Sequence, residues 1–167
     1  KIINKNDLDY LLTESEKTVK SNYQDKDILH RIETDIYIDG KKIENINNLN
    51  IEANNVVLEV KFIMIEKKIF ENLKNIFLKN HISLIDTFCT TYIKSLGFVN
   101  KNNISENTAF IDIGFNKSSL TIFRNQKLLY LNNIHIGGDH ITKDISKVLK
   151  LDYRKAEAWK KKFSKNK

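Results

Sequence analysis

FIDIGFNKSSLTIF, residues Phe110 to Phe123, is the stretch that most strongly indicates the fold. An apolar run ends at Asp112, a short turn with Gly114 follows, and apolar residues resume after Ser118, which predicts a buried strand, a tight turn and a returning strand. Main-chain N–H groups in such a turn can face a phosphate, and a carboxylate at the strand end can hold a magnesium-bound water or orient an attacking one. A plain β-hairpin with a solvated aspartate gives the same pattern.

A second glycine-containing segment follows, HIGGDHITKDI, residues 135–145. A strand that runs into Gly137 and Gly138 and then into a helix lets the backbone approach a ligand closely. The plainer alternative is that Asp139 or Thr142 only caps the helix and that the glycines only permit the turn.

The last predicted helix carries a pair of opposite charges. Glu157 and Lys160 are three residues apart, which places both polar ends on one face of a helix. A ligand contact and a surface ion pair both fit this spacing.

Hydrophobic periodicity divides the rest of the chain into short elements. Gly97 is predicted to end one helix, and the short gap 124–126 predicts an antiparallel hairpin. The predicted helices are 7–20, beginning near Asn6 or Asp7, 66–80, 87–96, 141–149 and 153–163, and the predicted strands are 28–39, 56–65, 82–86, 108–113, 118–123 and 127–134.

Composition places the chain among globular proteins of a reducing compartment. Of its 167 residues 41% are hydrophobic, and the one cysteine, Cys89, cannot form an internal disulfide.

The net charge is +7, and residues 143–167 account for all of it, with ten Lys or Arg against three acidic residues. Because no aromatic-interleaved basic strand accompanies this charge, nucleic acid is not the predicted partner. The four histidines lack metal-ligand spacing, so no protein metal site is predicted.

Taken in this order, the segments resemble the actin and Hsp70 superfamily, and within it the FtsA family of bacterial cell-division proteins. The resemblance is closest over residues 137–145, Gly-Gly-Asp-His-Ile-Thr-Lys-Asp-Ile, followed by Ala156-Glu157 and Lys160. In the N-terminal half, Ile-Leu-His at 28–30 and Ile-Tyr-Ile-Asp-Gly at 36–40 are similar to strands of the subdomain inserted in that family.

The resemblance implies a fold of the α+β and α/β classes. Residues 1–81 would form an SHS2-type subdomain, called 1C, and residues 82–167 the N-terminal part of the actin-like, ribonuclease H-like ATPase subdomain 2A. The first phosphate hairpin, the rest of 2A, the FtsZ-binding subdomain 2B and the amphipathic membrane helix would lie outside these residues.

It also implies a role for each candidate residue, with ATP and Mg²⁺ as the cofactor of the complete protein. Asp112 would be catalytic, Gly114, Asn116, Lys117 and Ser118 would form the second phosphate turn, Gly137 and Gly138 would lie beside the nucleotide, and Glu157 and Lys160 would contact adenosine. This chain alone is not expected to hydrolyse ATP.

Phe115 departs from the family pattern, in which the phosphate turn is a run of glycines. A phenylalanine at positive φ is a steric outlier, so the turn is expected either to take another shape or to store strain. Weak nucleotide binding and at most a weak ATPase activity are therefore predicted for the complete protein.

The function implied is that of a division adaptor, cytoplasmic at the inner face of the membrane at the division site. It would link FtsZ filaments to the inner membrane, recruit later division proteins through residues 1–81 and self-associate into filaments, and it would reach the membrane only through a segment not included here. One alternative is a PilM-like actin homologue that acts as a cytoplasmic docking platform in pilus assembly. Another is a phosphotransferase of the sugar-kinase branch.

Overall fold

The computed structural model describes residues 2–43 and 51–164, and the chain forms two compact units, Lys1–Cys89 and Thr90–Lys167. It has the predicted mixed fold, with helices and small antiparallel sheets in both halves. Compactness alone does not identify a subdomain, so the assignment of 1–81 to 1C and of 82–167 to 2A stays a prediction.

The first unit consists of two small sheets and two helices. Its strands are β1 (Ile2–Ile3), β2 (Lys26–Ile38), β3 (Lys41–Ile43), β4 (Ile51–Glu52) and β5 (Val56–Glu66), and its helices are α1 (Lys5–Asn22) and α2 (Lys67–Lys79). Strand β2 lies between β3 and β5, and β1 pairs with β4, all of them antiparallel. The long strand ends at a turn in which Asp39 and Gly40 take positive φ, a conformation that both residue types adopt readily in turns.

Helix α1 begins earlier than predicted because Asn4 caps it. The Asn4 side chain accepts a hydrogen bond from the Asp7 N–H at 3.2 Å, and the Asp7 carboxylate accepts one from the Asn4 N–H at 3.0 Å. This reciprocal box satisfies N–H groups that the first helical turn leaves without partners. Leu8 and Leu12 are the buried residues of the helix, and Leu8 joins Ile3, Ile36, Ile38 and Ala53 in the core of the unit.

The predicted strand at 82–86 is wrong. The segment from Ile82 to Cys89 is irregular, and Ile85 is 98% exposed. A strand needs a neighbouring strand for its N–H and C=O groups, and within the described residues this segment pairs with none. Its end is held instead by a side chain, because the Cys89 N–H donates to His30 Nε2 at 2.8 Å.

The second unit is a three-stranded antiparallel meander with three helices. Its elements are α3 (Thr90–Lys101), β6 (Thr108–Ile113), β7 (Ser118–Arg124), β8 (Lys127–Ile134), α4 (Gly138–Leu149) and α5 (Tyr153–Ser164). Strand β7 is central and pairs with β6 and β8. The predicted hairpin between β7 and β8 is confirmed, and Asn125 and Gln126 make its turn with φ of 49° and 64°.

Two predictions for this unit need correction. Helix α3 does not stop at Gly97, which has no positive φ, and it continues far enough to bury Val99 completely. Strand β6 is not buried throughout, since Ile111 and Ile113 are exposed. Within the described residues β6 is an edge strand with one neighbouring strand. No helix in the described part of the chain is long and apolar enough to cross a membrane.

Candidate functional site

The turn between β6 and β7 closes without backbone strain. The Gly114 N–H donates to the Lys117 carbonyl at 2.9 Å, and neither Phe115 nor Asn116 takes a positive φ. The turn has therefore taken another shape rather than the strained glycine-like one. Residues 114–117 are exposed, and no backbone acceptor in the described part of the chain is found for the N–H groups of residues 115–117.

This turn is docked on the N-terminus of helix α4. The Gly138 N–H donates to the Gly114 carbonyl at 2.9 Å, and the Asp139 N–H donates to the Phe115 carbonyl at 2.8 Å. The first N–H groups of a helix lack partners inside the helix and attract negative charge. Two of them are thus satisfied by the protein itself and are not open to an anion.

Gly137 permits this close approach. A Cβ at this position would lie 2.4 Å from the Phe115 carbonyl oxygen and 2.5 Å from that of Gly114. Its backbone is extended, with φ of −151°, so crowding and not backbone conformation requires glycine here. The Gly137 N–H itself donates to His140 Nδ1 at 3.2 Å.

Ser118 strengthens the same junction from the side of the sheet. Its side chain is buried, and its hydroxyl donates to the Ile136 carbonyl at 2.7 Å. The hydroxyl proton is therefore used to tie β7 to the segment that leads into α4.

Glu157 and Lys160 pack helix α5 against α4. Lys160 Nζ donates to the Gly138 carbonyl at 3.0 Å and to Thr142 Oγ1 at 2.7 Å, and it lies 2.7 Å from Glu157 Oε2. The Thr142 hydroxyl, which is fully buried, donates to the same Glu157 oxygen at 2.5 Å. The hydrogen bonds from Lys160 and then from Thr142 lower the pKa of Glu157 to about 2. The pair is thus anchored on the start of α4 and is not a free surface ion pair.

Sequence analysis missed a second polar contact between the same helices. The Tyr153 hydroxyl donates to Asp139 Oδ1 at 2.7 Å, and Lys143 Nζ lies 2.6 Å from Asp139 Oδ2. The hydrogen bond from Lys143, followed by that from Tyr153, lowers the pKa of Asp139, and the bond to Asp139 raises the pKa of Tyr153 to about 12. Asp139 does not cap the helix, because it lies in the first turn and is buried. The four-residue spacing of Asp139 and Lys143 was the one available signal.

Asp112 is separated from these residues. It pairs with Ser119 across β6 and β7, and its carboxylate lies 3.6 Å from Lys94 Nζ of helix α3. Successive residues of a strand face opposite sides of the sheet, so Ser118 and Ser119 do not share a side. The structure therefore gathers Gly114, Ser118, Gly137, Gly138, Glu157 and Lys160 around the start of α4 and leaves Asp112 on the side of α3.

Comparison with known proteins gives a consistent result. The family model for "Cell division protein FtsA" matches residues 109–166. The cell division protein FtsA of Agrobacterium fabrum is 24% identical over 141 residues, 84% of this chain and 32% of the relative, and that of Helicobacter pylori is 23% identical over 139 residues, 83% of this chain and 28% of the relative. FtsA of Streptococcus pneumoniae is 44% identical over 50 residues, 30% of this chain and 11% of the relative. The chain thus spans about a third or less of the length of these relatives.

A solved structure supports the fold. A chain of the "PilM-PilN type IV pilus biogenesis complex" superposes with a TM-score of 0.66 at 13% identity, over 91% of this chain and 44% of that chain. At this identity the likeness bears on the fold alone. Because the FtsA family model covers the docked hairpin with α4 and α5, and the FtsA relatives extend over most of both units, the chain is an FtsA-like protein.

Proposed function

We propose that this chain is part of a cell-division adaptor of the FtsA kind. In complete form the protein links FtsZ filaments to the inner membrane, self-associates into filaments and recruits later division proteins through the first unit. It works in the cytoplasm, at the inner face of the membrane at the division site. The observation that carries the proposal is the similarity to FtsA over more than four fifths of the chain.

The geometry of the second unit supports a nucleotide-binding role in the complete protein. The N–H groups of Phe115, Asn116 and Lys117 lie on an exposed turn and have no backbone acceptor among the described residues. Successive exposed N–H groups in a turn form a concave anion site, and the Lys117 ammonium adds positive charge. These residues fit a phosphate group, which would be one end of ATP with Mg²⁺.

Other features of the site argue for weak binding. The Gly138 and Asp139 N–H groups already donate to the hairpin, and Lys160 already donates to Gly138 and Thr142. A nucleotide must displace some of these bonds to use the same groups, which reduces its net affinity. We therefore expect the complete protein to bind Mg-ATP weakly and to be at most a slow ATPase, and Asp112 is the residue proposed to be catalytic.

The nucleotide proposal is tested on the complete protein by calorimetric titration with Mg-ATP. Lys117→Ala is expected to weaken binding, and Lys101→Ala, which removes a lysine at the end of α3, is the matched control. A submicromolar affinity would contradict weak binding. An affinity that Lys117→Ala leaves unchanged would remove the turn from the site.

The adaptor proposal is tested by co-sedimentation of the complete protein with FtsZ filaments and by the position of a fluorescent fusion in dividing cells. Enrichment at the division site together with pelleting in the presence of FtsZ is expected. A fusion spread evenly through the cell and a protein that stays in the supernatant would contradict it.

The likeness to the PilM chain favours a second candidate, a cytoplasmic docking platform for pilus assembly. The partner separates the two. Loss of pili with normal division after deletion of the gene would favour the platform, whereas filamentous cells with normal pili would favour the adaptor.

A further inference from the structure

The first unit ends in a segment without regular structure. Residues 82–89, which we call the connecting segment, follow α2 and run to the boundary of the second unit at Thr90. Within the described residues this segment pairs with no strand, and its apolar side chains Ile82, Ile85 and Phe88 are exposed. A segment with little apolar burial opens locally at a low cost in free energy.

A gap beneath the connecting segment shows that it is loosely seated. The gap has a volume of about 240 Å³ and lies between residues 84–87, β2 and α2, with Ile28, Leu29, Phe70 and Lys74 on its other walls. Atoms that border a gap lack the dispersion contacts that close packing would give them. Release of the segment therefore breaks few packing contacts.

A hydrogen bond to a side chain anchors the end of this segment. The Cys89 N–H donates to His30 Nε2 at 2.8 Å, and the ring centroids of His30 and Phe88 are 5.8 Å apart. His30 lies on β2 and is held there by the pairing of β2 with β5. The imidazole is thus a fixed point to which the end of a loosely packed segment is tied.

The hydrogen bond requires a neutral imidazole. Nε2 accepts a hydrogen bond only when it carries no proton, because both ring nitrogens of a charged histidine are donors. Burial lowers the pKa of His30, and the negative charge of Asp86 opposes this effect but is the smaller cause. The folded arrangement therefore favours the form of His30 that can accept from Cys89.

The elements packed around His30 add no other negative charge on its side of the sheet. On β5 the residue paired with His30 is Ile63, and Lys74 of α2, which lines the gap, is positive. Arg31 is the next residue of β2 and faces the opposite side, where it lies 3.1 Å from Glu16 of α1. A proton on His30 is thus met by Asp86 alone among these groups.

We propose that His30 is a pH-sensitive anchor for the connection between the two units. When the imidazole is neutral, it holds the Cys89 N–H and the connecting segment stays in place. When the imidazole is protonated, two donors face each other and the segment is released from its Cys89 end. The anchored arrangement is favoured above pH 6.5, the ordinary pKa of histidine, and is lost as pH falls below it.

Amide hydrogen exchange of the 167-residue chain, corrected for its intrinsic dependence on pH, measures this release. One pH unit below the ordinary pKa of a group changes a linked equilibrium by at most about tenfold. Protection of the Cys89 N–H is therefore expected to fall severalfold, and by no more than about tenfold, between pH 7.5 and 5.5. Protection of Ile36, a core residue of the same strand, is expected to stay constant, because the opening is local.

His30→Gln keeps an uncharged acceptor for the Cys89 N–H and is expected to remove the change in protection with pH. His135→Gln is the matched control, because His135 is an exposed histidine that follows β8, and it should preserve the response of the unmodified chain. If His30→Gln does not fold, the comparison of Cys89 with Ile36 in the unmodified chain decides. Three results would overturn the proposal: protection at Cys89 that does not change with pH, a change that persists in His30→Gln, or a parallel loss at Ile36.

Discussion

Gly137→Ala is expected to loosen the β6–β7 hairpin from helix α4. The added Cβ would lie 2.4 Å and 2.5 Å from two carbonyl oxygens of the turn, whereas ordinary contacts begin near 3.4 Å. The turn must therefore move by about an ångström, and the two oxygens that must move are the acceptors for the Gly138 and Asp139 N–H groups. Losing these two bonds, at about 0.5–1.5 kcal/mol each, lowers the free energy of unfolding by about 1–3 kcal/mol.

Urea unfolding followed by tryptophan fluorescence measures this effect, because Trp159 is the one tryptophan of the chain and lies on α5. With a slope of about 1–3 kcal/mol per molar urea, the midpoint for the second unit is expected to fall by about 1 M. Amide hydrogen exchange at Gly138 and Asp139 is expected to speed up as well.

Gly97→Ala is the matched control for this prediction. Gly97 lies within α3, a Cβ there meets nothing within 4 Å, and alanine is favoured over glycine inside a helix by about 1 kcal/mol. The midpoint should therefore stay or rise. If Gly137→Ala unfolds at the same urea concentration as Gly97→Ala, with unchanged exchange at Gly138 and Asp139, the crowding argument is refuted.

Two further predictions concern pH. Because the pKa of Glu157 is lowered to about 2, its stabilising effect is present above its ordinary pKa of 4.5 and is lost as pH falls towards 2. Glu157→Gln should flatten this acid loss in thermal melts followed by Trp159 fluorescence, while Glu106→Gln should not; equal acid profiles for the two variants would contradict the assignment. Burial lowers the pKa of His30, although the negative charge of Asp86 acts to raise it. The stability that neutral His30 contributes is therefore present above its ordinary pKa of 6.5 and is lost as pH falls below that value. His30→Gln keeps an acceptor for the Cys89 N–H and should abolish the titration of the Cys89 amide signal, whereas His30→Ala should remove the hydrogen bond at every pH; a Cys89 signal that still titrates in His30→Gln would disprove the link.

Local sequence signals determined much of the fold. The apolar run of β5, the short apolar stretches of β7 and β8 between turn-sized gaps, and the helical spacing in α1, α2 and α5 predicted these elements because such patterns depend on neighbouring residues only. The short gap 124–126 predicted its hairpin for the same reason. The motif around Gly137 predicted that the backbone approaches a ligand closely, and the structure shows a close approach to the carbonyls of the β6–β7 turn instead.

Tertiary contacts decided the features that sequence analysis missed. The apolar run at 82–86 is no strand because, within residues 2–43 and 51–164, no strand pairs with it. Helix α3 passes Gly97 because burial of Val99 outweighs the weak helix propensity of one glycine. The partners of Asp139, Glu157 and Lys160 depend on how α5 packs on α4, which a spacing along one helix does not specify. Asp112 and Ser118 are close in sequence, but the structure places Asp112 beside Lys94 of α3. The alternation of side chains along a strand determines which side of the sheet a residue faces. It does not determine which helix packs on that side, which depends on the tertiary structure.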